Sequence, residues 1–446
     1  MGKAQHDFTK GNILKQLIVF SGPLILANLL QTSYQFIDSL WVSNLLGDDA
    51  LGSVAISSTI IFTLLSFVIG ISNAQLTILS QQKGRDDEEG LRRYLNAFVV
   101  ILTVLASLLG LFGFLFSEGL LRLLGTPSEM MHDATLYLQI NFLGILFLFG
   151  YNFISTVLRA LGDSKTPFKI VAVAVILNVF LDPFFIYVLN FGISGAAYAT
   201  ILSQGIAFLL GLIFVLRRNS APFSIPFIPN RKEVGLILNL GIPSGLQTMM
   251  ISAGSAAIMT VVTSFGPEVV SGFSAAQRLG SLIMLPAMAL GTAVNSMAGQ
   301  NIGIGNMKRV SKIAKTAVLY NFTIMVTIGL AVIALAKYGV SLFIHEEESI
   351  LFGTRYLQVI ALCYPFLGIN FILNGIVRAS GAMYQVLVLN IISFWILRYP
   401  LSALFSKMFG DIGISIGMGS SFIISSLVAY GYFRFGKWRG KALFNT

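Results

Sequence analysis

Twelve apolar runs, each long enough to cross a bilayer, follow one another along the chain, and no other property restricts its fold so tightly. A run of about 20 apolar residues spans the hydrocarbon layer as an α-helix. Water cannot reach backbone amides and carbonyls there, so each segment closes its hydrogen bonds on itself. The runs lie at 14–45, 50–80, 93–117, 132–157, 168–190, 192–216, 234–264, 268–298, 313–337, 351–377, 385–408 and 412–434. Charged or Gly- and Pro-rich breaks separate them. Several exceed the length of a straight crossing, which predicts tilt, kinks or extension into the interface. Hydrophobic residues make up 55% of the chain and charged residues 11%, against roughly a quarter charged in soluble domains. The expected class is an all-α polytopic membrane protein with twelve transmembrane helices.

The net charge of +10 does not form a nucleic-acid-binding stripe. Basic residues gather in the tails and in every second loop: Lys83, Arg85, Arg92 and Arg93, then Arg217, Arg218, Arg231 and Lys232, then Lys308, Arg309, Lys312 and Lys315. The alternate loops hold only Arg122, Lys337, Arg355 and Lys407. Such an excess marks the cytoplasmic side. Both termini are therefore expected inside a plasma or bacterial inner membrane, with lipid and no nucleic acid as partner. The stretch MGKAQHDFTKGNILKQ lacks the apolar run and cleavage site of a signal peptide. Cys363 is alone, so no internal disulfide or cysteine-cluster metal site can form. His6, His132 and His345 sit near span ends or in the tail, and no HExxH-like motif occurs. Neither an enzyme nor a metal or cofactor site is expected.

The chain repeats itself. TLYLQI at 135–140 returns as TRYLQV at 354–359, and VLRALG at 157–162 as IVRASG at 376–381, both displaced by 219 residues. At that displacement Gly47 meets Gly266 and Gly84 meets Gly303, while Pro23 meets Pro243 at 220. Each half carries six spans, an even number, so both insert the same way up. An axis along the membrane normal should relate the two lobes, as in many transporters. The expected division is an N-lobe at 1–217, a cytoplasmic linker at 218–233 with three prolines, and a C-lobe at 234–446.

Of nineteen acidic residues, only Asp38 and Asp182 fall in span interiors; the others lie in tails, loops or span ends. An ionised aspartate near the bilayer centre costs about 2.5–3.5 kcal/mol on insertion scales, so it faces a cavity or a partner. At ~1.5 Å of rise per residue both lie ~10–12 Å below the outer ends of their helices. Thr200 and Tyr137 enter the same layer. Gln31, Tyr34, Gln35, Asp38 and Trp41 share one face of the first helix, and Asn178 and Asp182, like Thr200 and Gln204, stand one turn apart. Pro183 frees the carbonyl of Val179 beside Asp182. A hydrogen-bonded pocket is expected, with Asp38, Asp182, Asn178, Tyr34, Tyr137 and Thr200 handling a proton or cation. The bland alternative is helix glue, but Asn or Gln would serve there without the cost of ionisation. Desolvation and a like-charged neighbour favour protonated carboxyls, and two such groups titrate as a pair.

Other features carry less chemistry. Met249, Met250 and Met288 belong to a methionine cluster in the seventh and eighth spans. Methionine adapts to varied apolar ligands, or simply fills a core. Gly413 and Gly417 form a small-xxx-small step suited to close helix contact. Arg159 and Arg378 suit cytoplasmic anchoring. Arg278 and Arg398 are more deeply embedded, where helix-end carbonyls could receive them, contact with cargo being the alternative. Pro23 is the expected hinge of the first helix.

Several blocks resemble a known family: GPLILANLLQTSYQFIDSLWVSNLLG, YLQI, VLRALGDSKTP, NVFLDPFFIY and LGIPSGLQ. They are similar to the multidrug and toxic compound extrusion (MATE) transporters, and the Asp38 and Asp182 pair resembles their DNA-damage-inducible (DinF) branch. The likeness covers essentially the whole chain. It implies a V-shaped exporter of bulky cationic or amphipathic compounds, driven by inward H⁺ or Na⁺. The chain departs from other branches in having no acidic residue in the span interiors of its second half. The expected function is secondary active multidrug efflux by a monomer, in exchange for protons carried on Asp38 and Asp182. Gln31, Gln35, Gln204, Met249, Met250 and Met288 are the candidate cargo contacts. Coupling to Na⁺, or flipping of a lipid-linked precursor, remains the alternative. A channel is disfavoured because no pore-loop repeat is present.

Overall fold

Helices follow the apolar runs, and most overrun them on the side where the basic residues gather. The computed structural model describes residues 6–440, 443 and 444. The first half holds α1 (Ile13–Leu46), α2 (Asp48–Gly84), α3 (Glu88–Leu123), α4 (Ser128–Leu143), α5 (Ile145–Ala160), α6 (Lys165–Pro183) and α7 (Ile193–Arg217). The second holds α8 (Arg231–Thr263), α9 (Pro267–Gly303), α10 (Met307–Ser341), α11 (Glu347–Ala361), α12 (Tyr364–Ala379), α13 (Met383–Ile391), α14 (Tyr399–Phe409) and α15 (Ile412–Phe435). π-helical segments extend α6 through Phe184–Val188 and join α13 to α14 through Ile392–Arg398. Among the described residues no strand occurs. The overrun has a local cause. Asp87 caps α3 by accepting from the Gly90 amide at 2.8 Å, and Asn306 caps α10 through the Arg309 amide at 3.1 Å, so the helices continue into polar sequence.

Two spans are broken, which the hydropathy pattern does not show. α4 and α5 meet at 49°, and α11 and α12 at 53°. Among the described residues ten helices qualify singly, and counting each bent pair as one span gives the twelve expected. Gly144 forms the first break, where a Cβ would run into the Ile201 side chain. Cys363, displaced from Gly144 by 219, forms the second and packs its sulfur against Gly419. The repeat extends to caps and side-chain bonds. Gly47 and Gly266 open α2 and α9 with φ of 89° and 102°. Gln139 donates to the Phe114 carbonyl at 3.3 Å, and Gln358 to the Ile333 carbonyl at 3.2 Å.

Away from its buried first turns, α3 points large apolar side chains outward and small ones inward. On α3, Leu108, Leu111, Leu115 and Phe116 are exposed, whereas Ala106, Gly113 and Ser117 are buried. Lipid solvates the large side chains, and the small ones let backbones approach. The small-xxx-small step obeys the same rule. A Cβ at Gly413 would fall on the Phe405 carbonyl of α14, and one at Gly417 on the backbone of Ser402.

The chain forms two compact units that differ from the sequence halves. The first is Gly22–Gly241 plus the chain up to Asp7; the second is Phe8–Ser21 plus Ile242–Thr446. The segment expected as the cytoplasmic linker, 218–233, packs with the first unit. There the Asn96 side chain donates to the Phe227 carbonyl at 2.8 Å and accepts from its amide at 2.9 Å, and Arg93 lies 3.7 Å from Glu233. Residues 8–21 leave the expected N-lobe for the second unit because that unit supplies their partners. The Phe8 amide donates to Gln300 Oε1 at 3.0 Å, and Arg309 donates to the carbonyls of Phe8, Lys10 and Gly11 at 2.8–2.9 Å. α1 therefore changes unit beside Pro23, and α8 beside Pro243. Each proline deprives a carbonyl one turn back of its amide partner.

The α14–α15 approach is testable. Gly413→Ala should lower stability by about 1–3 kcal/mol through overpacking, read as a lower melting temperature in detergent. Gly431→Ala on the same helix, with open space at its Cβ, should leave melting unchanged or raise it slightly. Equal melting of the two variants would remove the close contact as a source of stability.

Candidate functional site

The first unit places the polar face of α1 against α4, α6 and α7. Asp38 is 8% exposed and Asp182 fully buried. α6 ends at Pro183, and the widened turn after it is closed by the Leu189 amide donating to the Phe184 carbonyl at 3.0 Å. Asn178 Nδ2 donates to Asp182 Oδ1 at 3.3 Å across one turn. The carboxyl groups of Asp38 and Asp182 adjoin, close enough for one to donate to the other when a proton is present. Tyr34 shares a 3.0 Å hydrogen bond with Thr200, tying α1 to α7. The Tyr137 hydroxyl lies within reach of Asn141 and Ser58, and both carboxyls act on it electrostatically.

Acceptors outnumber donors here. Asp38 Oδ1, Asp182 Oδ2 and Asn178 Oδ1 are buried and meet no donor. Buried polar atoms in native proteins normally have partners, so such a surplus calls for a proton or a cation. A cavity of about 400 Å³ opens beside Asp38. Its polar lining includes Gln31, Gln35, Asn141 and Gln204, and its apolar lining includes Val54, Phe62 and Phe149. The volume suits a small molecule. A smaller space of about 50 Å³ reaches Asn178 and is bounded by Tyr151 and Ser203.

Every residue expected to couple ions is thus gathered in one unit, together with Gln31, Gln35 and Gln204. Met249, Met250 and Met288 are not brought to this site; they stand on α8 and α9 of the second unit. Pro23 lies inside α1, which stays helical across it. Ser58, Asn141, Tyr151 and Ser203 were not singled out from sequence. Asn141 stands one turn from Tyr137, the same spacing that exposed the Asn178 and Asp182 pair, so that signal was available. Among the described residues no group of three potential metal ligands occurs.

The MatE family profile matches residues 23–184 and 243–404, once in each half. The chain belongs to the MATE family. Curated relatives agree over nearly full length. A probable multidrug resistance protein, YpnP of Bacillus subtilis (strain 168), is 60% identical across 98% of this chain and 99% of its own. A second from the same organism, YoeA, is 28% identical across 98% and 96%. An outward-facing structure of a multidrug resistance MATE transporter superposes with a TM-score of 0.91 at 23% identity, covering 97% of this chain and 98% of its own, and so shares the fold. The MATE chain is accordingly a multi-pass membrane transporter of small molecules and not an enzyme.

The adjoining carboxyls give one expectation. Asp182→Asn keeps the shape and the bond from Asn178 while removing one charge. Its melting temperature should gain on the wild type as pH rises, because two ionised carboxylates then oppose each other only in the unsubstituted protein. A gap that fails to widen from acidic to alkaline pH would mean the carboxyls do not act on one another.

Proposed function

We propose that this MATE transporter exports cationic or amphipathic compounds in exchange for protons bound by Asp38 and Asp182. The observation that carries the reading is the pair of adjoining, buried carboxyls with a surplus of acceptors beside a cavity of about 400 Å³. A proton between two carboxyls supplies the missing donor and cancels their repulsion. Release of that proton leaves negative charge facing the cavity. A cation seated there gains from the charge and from the Tyr34 and Phe149 rings. Proton and cargo thus compete for one set of atoms, which is the requirement for exchange.

Thr200 and Tyr34 position α1 over this set, and Pro23 serves as the hinge through which α1 responds to the change in charge. The basic loops put both termini in the cytoplasm, and one chain suffices because the cavity is complete within its first unit. Na⁺ is the second reading, since the unsatisfied groups are hard oxygen acceptors that also suit such a cation.

Purified protein in sealed liposomes decides between them. Adding ethidium should drive a pH change without Na⁺ in the wild type. Asp38→Asn should fold normally and reduce that change to the level of empty liposomes. A pH change that persists in the variant removes Asp38 from the mechanism. An ethidium flux that requires Na⁺ and moves no protons assigns the same pocket to sodium.

A further inference from the structure

The second unit contains a buried cation that efflux of cations does not use. Arg398 ends the π segment between α13 and α14 and is 6% exposed. Sequence suggested helix-end carbonyls as its partners, but the structure gives it aromatic rings instead. Its guanidinium lies 3.7 Å from the centre of the Phe394 ring and 4.7 Å from that of Phe422. Such stacking engages the faces of the guanidinium and leaves its edges free to donate. Nε and Nη2, which share one edge, are buried and donate to nothing. One turn further, the buried Ser402 hydroxyl also lacks a partner. Among the described residues no carboxylate forms an ion pair with Arg398.

The internal repeat shows what this place corresponds to. The two matched halves end at 184 and 404. The displacement is 219 through the YLQ and VLRA/IVRA blocks and 220 at those ends, where Asn178 and Asp182 stand opposite Arg398 and Ser402. Tyr137 stands opposite Tyr356, whose hydroxyl donates only to the Met418 thioether at 3.2 Å and lies within electrostatic reach of Arg398. The first unit therefore holds unmet acceptors where the second holds unmet donors.

We propose that Arg398 and Ser402 form a binding site for the carboxylate group of an apolar organic acid. This deepens the proposed function and rests on it, by adding acidic or zwitterionic amphiphiles to the cargo. Two parallel N–H groups on one guanidinium edge match the two oxygens of a carboxylate, with the serine hydroxyl as a third donor. The surrounding Phe394, Phe422 and Met418 side chains suit an apolar body better than a small hydrated anion.

Calorimetric titration of the full chain in detergent, with 2-naphthoate and its methyl ester, tests the site. Wild type should bind the acid at least about tenfold more tightly than the ester, the scale of hydrogen bonds to charged groups. Arg398→Gln should abolish that preference. Arg398→Lys, which keeps the charge and loses the two-pronged edge, should retain only part of it. If Arg398→Gln does not fold, the wild-type comparison and the lysine variant still decide. Equal binding of acid and ester by the wild type, or full preference in the folded variants, overturns the proposal. So does displacement of naphthoate by chloride at comparable affinity, which would assign the site to an inorganic anion. Binding needs no gradient, so failure of proton coupling would leave this result unaffected, and failure here would leave proton coupling standing.

Discussion

A polar atom in hydrocarbon has no solvent to fall back on, and the protein's architecture answers that one constraint. Long helices close their backbones internally. Where the backbone is interrupted at Gly144 and Cys363, the opened turns pack closely, the first against the Ile201 side chain and the second against Gly419. Large apolar side chains face lipid, and small ones let the helices approach. Among the buried atoms left unsatisfied, two groups carry the chemistry proposed: acceptors around Asp38 and Asp182, and donors around Arg398 and Ser402.

The repeated halves separate scaffold from chemistry. Positions that set backbone direction agree in both: the capping residues Asp87 and Asn306, the left-handed glycines 47 and 266, and the glutamines that bond a neighbouring carbonyl. Each solves a geometric problem that both halves share. The positions opposite one another near the end of the repeat do not agree, because Asn178 and Asp182 face Arg398 and Ser402. One helical frame thus presents two groups of opposite character.

Much of this was legible in the sequence, for definite reasons. Spans were readable because hydrocarbon admits only long apolar helices, and the pair of carboxyls because nothing else acidic enters them. The Asn178 to Asp182 bond followed from spacing alone. The break at Gly144 was hidden, since the apolar pattern runs through it without a proline, whereas at Cys363 the only local signal was Pro365, at the start of α12. The setting of Arg398 was hidden too, because its rings come from Phe394 nearby and Phe422 on α15. Unit membership could not be read either. Residues 8–21 belong with the second unit through bonds to Gln300 and Arg309, and packing of that kind leaves no trace in hydropathy.

That last feature governs the order in which the chain can mature. The amide of Phe8 meets Gln300 across 292 residues, and its carbonyl meets Arg309 across 301. During synthesis residues 8–21 therefore emerge long before their receptor exists. Their bonds form only after α9 and the start of α10 have been made, so this early segment is among the last to reach its final place. Closing so long a loop is slow, and the nascent first half waits with its leading helix half-seated. A chain severed between Arg217 and Arg231 would give two pieces, each lacking packing that the other supplies.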